Sequence, residues 1–487
     1  MIDLNQPTTR GTRLRGARVA LAVMVLLQGC SAADKVTNSL LGTGSDLVPG
    51  QQGYVSGFLG GVVADEPRAV LAGRDILSEG GTAADAAAAV ALTLAVTLPS
   101  RAGLGGGGAC VAYFPDPKSA NHGVPEAVMF TPRAPAATPA NADRPAAIPM
   151  MARGIFLLHA RYGALPFEGI LASAEQLARF GVPTSRALAK DLALVSGPLL
   201  ADPGAREVFS QNGAVLTEGQ TLRQPDLGGT LAQLRVSGVG DMYQGTLAHR
   251  IEPASETIGG PIPYADLHRA LPKLAPVLSR DFQDDKIAFL PPPADGGLAA
   301  AGAFDVLAAN PDDTAGAAAH ALAVVARYRA GGVTPEAALA TKDAAPVGVL
   351  YPASTGFVTM DRDGNVVSCA LTMNNLFGTG RIMPGVGILA AASPSVVTPP
   401  LLAAGVVWNP NIKAFRAAAS GSGQQGAPLA VAAALINTLR TKLPMSVPVP
   451  EPGRANVIAC NRYLPGENGS CGWAADPRGY GLALGSN

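Results

Sequence analysis

The sequence of 487 residues predicts an α+β fold whose helices and sheets form separate layers. Apolar, alanine-rich helices are predicted at residues 82–98 and 427–439, and a hairpin of two apolar strands lies between them at residues 355–373. The turn of this hairpin contains Gly364, which can adopt the positive φ angle that tight turns require. Helices that precede and follow such a hairpin are typical of layered α+β proteins.

Two helices open the folded part of the chain, at residues 67–80 and 82–98. A Gly-Gly pair ends the first helix, because glycine accepts the left-handed conformation that commonly follows a helix. Thr82 is the predicted N-cap of the second helix, with Asp85 at the position that completes a capping box.

A glycine-rich run at residues 103–108 leads into a predicted strand at residues 109–114. The run lacks the Lys and the Ser or Thr of a phosphate-binding loop, so nucleotide binding is not predicted. Further helices are predicted at residues 148–162, 167–180, 299–307 and 315–329.

The N-terminal segment has the pattern of an export signal. Arginines within residues 10–18 precede an apolar run at residues 19–27, which is too short to span a membrane as a mature helix. The four residues ending at Cys30 resemble the lipobox of bacterial lipoproteins, so we predict a lipoprotein-type signal peptide at residues 1–29 and lipidation of Cys30. Residues 30–60 then tether the folded body to the cell envelope, on the periplasmic face of the outer membrane. The alternative is an ordinary signal peptide with an incidental cysteine.

Composition excludes several classes of partner and cofactor. Lys+Arg and Asp+Glu each total 36, so the chain lacks the basic surplus of a nucleic-acid-binding protein. The 5 cysteines are too few for a disulfide scaffold and lack the clustered spacing of a zinc site. We therefore predict neither a metal ion nor a cofactor.

Two pairs of cysteines receive different predictions. Cys460 and Cys471 flank a turn-rich loop, and an exported protein can close so short a loop with a disulfide. Cys110 and Cys369 fall in apolar strands and are predicted to be buried thiols.

Several short segments, in a specific order and spacing, make the sequence recognisable from about residue 61 to the C-terminus. They are residues 80–87, 104–108, 162–167, 177–183, 291–297 and 476–479. With them the chain resembles the gamma-glutamyltranspeptidase family of N-terminal nucleophile hydrolases. The resemblance implies a four-layer α/β/β/α sandwich formed jointly by a large-subunit region at residues 61–353 and a small-subunit region at residues 354–487.

The resemblance also identifies a candidate nucleophile. Members of the family carry a threonine before the strand that leads to an Asp-x-Asp-Gly-Asn turn, and here that position is Ser354, with Gly356 where the family has histidine. The Ser354 hydroxyl would attack the Ala353 carbonyl and cleave the chain, and the new α-amino group would then act as the base for the same hydroxyl. Thr372 matches a family threonine that contacts the nucleophile, and Asn374 matches an asparagine that holds the substrate's α-amino end.

Other positions depart from the family pattern. Thr131 stands where an arginine binds the glutamyl carboxylate, and Ser395 lies in a segment without the acidic partner of the α-amino group. Gln424 and Gln425 occupy the place of the Gly-Gly pair whose N–H groups form the oxyanion hole. Arg101, just before the glycine run, is a candidate for carboxylate binding in place of the family arginine, and its alternative is a surface arginine.

Three hypotheses follow. The first is an exported gamma-glutamyltransferase-like amidohydrolase with altered acyl specificity, which acts on a small amide or peptide and whose two fragments stay associated after cleavage. The second is an ordinary gamma-glutamyl hydrolase whose binding residues lie elsewhere in the sequence. The third is a non-catalytic relative that keeps the fold as a cell-surface binding or structural module.

Overall fold

The computed structural model describes residues 57–139, 142–341 and 353–486. These residues belong to one compact unit, Val55–Asn487. The predicted signal peptide, the lipidation site at Cys30 and most of the tether lie outside the described residues. Among the helices that are described, none is long and apolar enough to cross a membrane.

The helices of the described residues are labelled α1 to α14 in chain order. They are α1 Pro67–Ser78, α2 Ala83–Thr97, α3 Met151–Tyr162, α4 Phe167–Phe180, α5 Arg186–Leu200, α6 Pro203–Phe209, α7 Pro225–Ser237, α8 Asp241–Gln244, α9 Thr246–Thr257, α10 Tyr264–Arg269, α11 Asp295–Ala309, α12 Thr314–Arg329, α13 Pro335–Leu339 and α14 Gly426–Thr441.

The strands are labelled β1 to β17 in the same way. They are β1 Gly60–Ala64, β2 Gly107–Tyr113, β3 Glu126–Phe130, β4 Val182–Pro183, β5 Ser210–Gln211, β6 Ala214–Val215, β7 Thr221–Leu222, β8 Lys273–Pro276, β9 Leu278–Phe282, β10 Asp285–Phe289, β11 Ser354–Asp361, β12 Val366–Thr372, β13 Ala404–Asn409, β14 Ala414–Ser422, β15 Arg454–Leu464, β16 Cys471–Ala474 and β17 Leu482–Ser486.

Two large antiparallel sheets form the centre of the fold. The first has seven strands in the order β17-β1-β11-β12-β2-β3-β8, and the second has six in the order β16-β15-β14-β13-β10-β9. Each sheet combines strands from before and after residue 354. The hairpin of β11 and β12 lies in the middle of the seven-stranded sheet, so its first residue, Ser354, is surrounded by other strands.

Three hydrophobic cores separate four layers. One core packs helices such as α2 and α4 against the seven-stranded sheet, and another packs α11, α12 and α14 against the six-stranded sheet. The third core lies between the sheets, where side chains of β11 meet those of β13 to β15. Phe357 faces the helices and its neighbour Val358 faces the second sheet, as strand alternation requires. The α+β prediction is confirmed.

The local signals behind the predicted elements are present in the structure. Thr82 and Asp85 form a capping box at the start of α2. Gly364 has φ +81° in the β11–β12 turn. Helix α11 begins earlier than predicted, at Asp295. Glycine disfavours a helix in sequence, but here the first glycines pack so closely against the backbone of neighbouring segments that side chains would not fit. The helices between residues 186 and 269 were not predicted, since several are short and two contain proline in their interior.

The structure contains two disulfides. Cys460 and Cys471 are joined, with their Cα atoms 3.8 Å apart. Cys110 and Cys369 are also joined, with their Cα atoms 4.0 Å apart, so the prediction that they are buried thiols is wrong. These two cysteines lie directly opposite each other on the neighbouring strands β2 and β12, a register that brings their side chains together.

Candidate active site

The candidate site lies at one end of the seven-stranded sheet, where β11 begins and β12 ends. Ser354 is the first residue of β11, and it pairs directly with Thr372, the last residue of β12. Thr372 pairs in turn with Gly107 at the start of β2. Both the Ser354 and Thr372 side chains are buried. The topology therefore places the predicted nucleophile and its predicted partner side by side inside the protein.

Thr372 contacts the peptide unit that precedes Ser354. Its hydroxyl donates a hydrogen bond to the Ala353 carbonyl oxygen at 2.7 Å and accepts one from the Asn374 N–H at 2.8 Å. The sequence predicted a contact with the Ser354 hydroxyl, whereas the hydrogen bond in the structure goes to the carbonyl that this hydroxyl would attack. A donor at this carbonyl polarises it towards attack.

Gln424 supplies a backbone donor to the nucleophile. Its N–H donates to Ser354 Oγ at 3.3 Å. The turn that carries it is strained: Gly423 has φ +93° and Gln424 has φ +51°. A side chain on Gly423 would overlap the carbonyl oxygen of Pro452, so only glycine fits before Gln424.

The same turn leads directly into helix α14. Gln425 is the N-cap residue of this helix, and its side chain is half-buried. The N-terminal end of a helix carries a partial positive charge, which favours a negative charge placed beside it. The Gln424 N–H thus contacts Ser354, and Gln425 begins the helix that follows, although neither is the glycine of the family pattern.

Two buried polar atoms of this turn have no hydrogen-bond partner within the described residues. They are Ser422 Oγ and Gln424 Oε1, on side chains that are 1% and 7% exposed. Leaving such atoms unpaired in a protein interior costs about 1–3 kcal/mol each. Because the Gln424 N–H contacts Ser354 Oγ, these unpaired atoms of the same turn are candidates for hydrogen bonds to a bound substrate.

Asn374 and Ser395 follow Thr372 in the chain, and Asn374 bonds to it directly. Asn374 is buried, has φ +62°, and donates from Nδ2 to the Ala392 carbonyl at 2.8 Å. The Ser395 side chain is exposed and shares a 2.8 Å hydrogen bond with the hydroxyl of Ser393. The segment at residues 390–395, which contacts Asn374 and contains Ser395, therefore carries no charged side chain, as its sequence indicates.

Thr131 is separated from the nucleophile strand by other strands, whereas Arg101 is held in an ion pair. Thr131 follows the last residue of β3 and is half-buried, with β12 and β2 between it and β11. Arg101 forms a bidentate ion pair with buried Asp191, from Nε and Nη2 at 2.7 Å each. Burial alone would lower the pKa of Arg101, but the Asp191 carboxylate outweighs it and raises the pKa. Arg101 is therefore already paired with a carboxylate, and neither prediction for it, substrate partner or surface arginine, describes this buried ion pair.

A polar cluster that the sequence did not predict lies next to the nucleophile. The Asp65 carboxylate accepts hydrogen bonds from Thr355 Oγ1 at 2.8 Å, from the Gly356 N–H at 3.3 Å and from Asn456 Nδ2 at 2.8 Å. Asp65 and Glu66 precede a Pro-initiated helix, where acidic residues ordinarily act as caps. Glu66 does cap α1, whereas the Asp65 side chain binds β11. No local sequence pattern shows which of the two residues has which role.

Gly356 explains one departure from the family pattern. A side chain at this position would overlap Ser420 Oγ on strand β14 of the second sheet. The Ser420 hydroxyl in turn donates to the Cys369 carbonyl oxygen. The backbone of β11 thus lies against β14 so closely that the histidine of the family would not fit.

Comparisons with known proteins identify relatives of the chain. Residues 69–325 match the family described as gamma-glutamyltranspeptidase, a stretch that ends before Ser354. Glutathione hydrolase 3 of Arabidopsis thaliana is 30% identical over 267 residues, which cover 53% of this chain and 40% of the relative. The glutathione hydrolase proenzyme of Escherichia coli (strain K12) is 27% identical over 390 residues, which cover 68% of this chain and 65% of the relative.

A solved structure supports the fold along almost the whole chain. The crystal structure of cephalosporin acylase from Bacillus halodurans has a TM-score of 0.72 and covers 90% of this chain and 98% of its own, at 20% sequence identity. At that identity the likeness concerns the fold alone. Since the family match spans more than half of the sequence, the chain belongs to the gamma-glutamyltranspeptidase family.

Proposed function

We propose that this protein is an exported, lipid-anchored amidohydrolase that cleaves its own chain before Ser354 and then hydrolyses or transfers the acyl group of a small amide. The observation that carries the proposal is the pair of hydrogen bonds around Ser354. One joins the Gln424 N–H to Ser354 Oγ, and the other joins the Thr372 hydroxyl to the Ala353 carbonyl. A nucleophile, its electrophile and two donors thus occupy one buried site.

Self-cleavage would begin with attack of Ser354 Oγ on the Ala353 carbonyl carbon. The Thr372 hydroxyl stabilises the oxyanion that forms, because it already donates to this oxygen. The C–N bond then breaks, the hydroxyl proton passes to the released nitrogen, and an ester joins Ala353 to Ser354 Oγ. Water hydrolyses this ester, which leaves a carboxylate on Ala353 and a free α-amino group on Ser354.

The same hydroxyl then serves the second reaction. An α-amino group has an unperturbed pKa of about 7.7–8.0, so a substantial neutral fraction can accept the Ser354 hydroxyl proton near neutral pH. Attack on a substrate amide gives an acyl-enzyme, and the amine of the substrate leaves with that proton. The Gln424 N–H and the N-terminus of α14 favour the negative charge of the intermediate. Water or a second amine then takes the acyl group.

The substrate is proposed to be an amide whose acyl group lacks the zwitterionic glutamyl head. Relatives bear the name glutathione hydrolase, but here Thr131 and Ser395 offer no charge to such a head group. A zwitterion buried without charged partners would lose hydration that nothing replaces. The unpaired atoms Ser422 Oγ and Gln424 Oε1 suit neutral hydrogen-bond donors instead.

Export is proposed from the N-terminal sequence and is supported by the two disulfides, which persist in oxidising compartments. Lipid attachment is tested by metabolic labelling with a radioactive fatty acid. We expect label on the wild-type protein and none on Cys30→Ser. Equal labelling of both would contradict the anchor without affecting the proposed chemistry.

The chemistry is tested by comparing Ser354→Ala with Ser368→Ala. Ser368 is a matched control, since it is also a buried serine of this hairpin and donates its hydroxyl to the Ala419 carbonyl at 2.9 Å. Wild type and Ser368→Ala should give two fragments on a reducing denaturing gel and hydrolyse an acyl p-nitroanilide. Ser354→Ala should give one chain and no hydrolysis. A wild-type protein that remains one inactive chain would favour the non-catalytic binding module, for which the missing head-group charges are the supporting observation.

A further inference from the structure

Two polar residues outside the reacting atoms hold the beginning of the nucleophile strand. We propose that Asp65 and Asn456 are positioning residues, which clamp Thr355 and Gly356 so that Ser354 stays aligned with its donors. The inference rests on the proposed function of Ser354. Asp65 and Asn456 make no hydrogen bond to Ser354 among the described residues, so they act through the two residues that follow it.

Asp65 forms hydrogen bonds with β11 from within the seven-stranded sheet. It directly follows β1, the neighbour of β11, and Ala64 pairs with Phe357. Its Oδ2 atom accepts from both the Thr355 hydroxyl at 2.8 Å and the Gly356 N–H at 3.3 Å. One carboxylate oxygen therefore fixes a side chain and a backbone group of two successive residues.

Asn456 contacts Gly356 and Asp65 from the second sheet. It is 2% exposed on β15, and its Nδ2 donates to the Gly356 carbonyl at 2.8 Å and to Asp65 Oδ1 at 2.8 Å. The N–H of Gly356 is thus bound by Asp65 and its C=O by Asn456. This arrangement ties the first strand residues of β11 to both sheets at once.

After cleavage, Ser354 needs contacts other than its peptide bond to Ala353 to keep its position. Before cleavage, Ser354 is held by the peptide bond to Ala353, whose carbonyl binds Thr372. After cleavage Ser354 is a chain terminus, and the ends of strands are where ordered structure is lost most easily. A displacement of a reacting group by about 1 Å can cost roughly 100-fold in rate. Contacts at the next two residues then determine whether the hydroxyl keeps its position beside the Gln424 N–H.

Thr355→Val tests the clamp with little change in shape, and Thr359→Val is its matched control. Both threonines are buried on β11, and Thr359 donates to the Ala83 carbonyl at 2.7 Å, away from the site. We expect Thr355→Val to lower kcat by about 10- to 100-fold with KM changed less than about threefold, since alignment rather than binding is lost. Thr355→Ser keeps the hydroxyl and should have nearly the wild-type kcat. Thr359→Val should reduce the melting temperature while kcat stays near the wild-type value.

A double-mutant cycle with Asp65→Ala separates a shared clamp from independent effects. If Asp65 acts through Thr355, the double variant should have nearly the kcat of the worse single variant, because the second change removes a contact already lost. Active wild-type enzyme whose kcat is unaffected by Thr355→Val and Asp65→Ala, or lowered equally by Thr359→Val, would overturn the clamp alone. An uncleaved, inactive wild type would overturn the proposed function and the clamp together.

Discussion

Replacing Thr372 by valine should slow self-cleavage while leaving the fold in place. Valine keeps the shape of threonine but removes the hydroxyl that donates to the Ala353 carbonyl at 2.7 Å. Loss of one oxyanion donor typically costs about 100- to 1,000-fold in rate. Because this hydrogen bond already exists before the reaction, part of its energy stabilises the ground state as well. We therefore expect a loss near the lower limit, about 100-fold.

The assay follows full-length chain made by cell-free translation as it converts into two fragments on reducing gels. Thr372→Val also leaves the buried Asn374 N–H without its acceptor, at a cost of about 1–3 kcal/mol of stability. Thr359→Val controls for this, since it removes an equally buried threonine hydroxyl that binds a carbonyl at 2.7 Å. Thr372→Ser should cleave at nearly the wild-type rate. Cleavage of Thr372→Val as fast as Thr359→Val would refute the assignment of Thr372 as a donor to the oxyanion.

The Cys110–Cys369 disulfide joins residues on either side of the cleavage site, so cleaved protein should run as one band without reductant and as two bands with it. Burial raises the pKa of Asp361 from 3.8 to about 6, which outweighs its hydrogen bonds. The folded state therefore holds a proton that the unfolded chain releases, and this stabilisation is present below about pH 4 and lost as the pH rises through 6. In chemical denaturation, Asp361→Asn should abolish this loss, on the order of 3 kcal/mol. Ser354→Thr introduces the nucleophile of the family and should retain cleavage on a reducing gel. An uncut chain would contradict this and would indicate that the site has no room for the additional methyl group.

The sequence predicted those elements whose signals are local and periodic. The capping box of Thr82 and Asp85 lies within four residues, and the β11–β12 hairpin has two apolar strands around a turn glycine. Helices α2 and α14 are apolar nearly all round because both are buried in the sandwich. Ser354 and Thr372 were identified through the family resemblance, with the turn fixing the alignment, and the structure pairs them directly across the hairpin.

Contacts between distant segments could not be predicted in the same way. The Cys110–Cys369 disulfide depends on the register of strands whose cysteines are separated by 259 residues. Asp65 meets Thr355 across 290 residues, and nothing around Asp65 distinguishes it from an ordinary residue before a helix. The partner of Arg101, a residue of a turn, is likewise distant in sequence, Asp191 in helix α5. Such pairs are determined by how sheets and helices assemble, which is a property of the whole fold.

In the proposed self-cleavage, Ser354 becomes a chain terminus by its own chemistry. The most direct measurement is the N-terminal sequence of the smaller fragment from purified protein, after reduction of the disulfides. We expect this fragment to begin at Ser354 in the wild-type protein, and we expect Ser354→Ala to yield only uncut chain. A wild-type chain that stays intact, or a fragment that begins at any other residue, would contradict it.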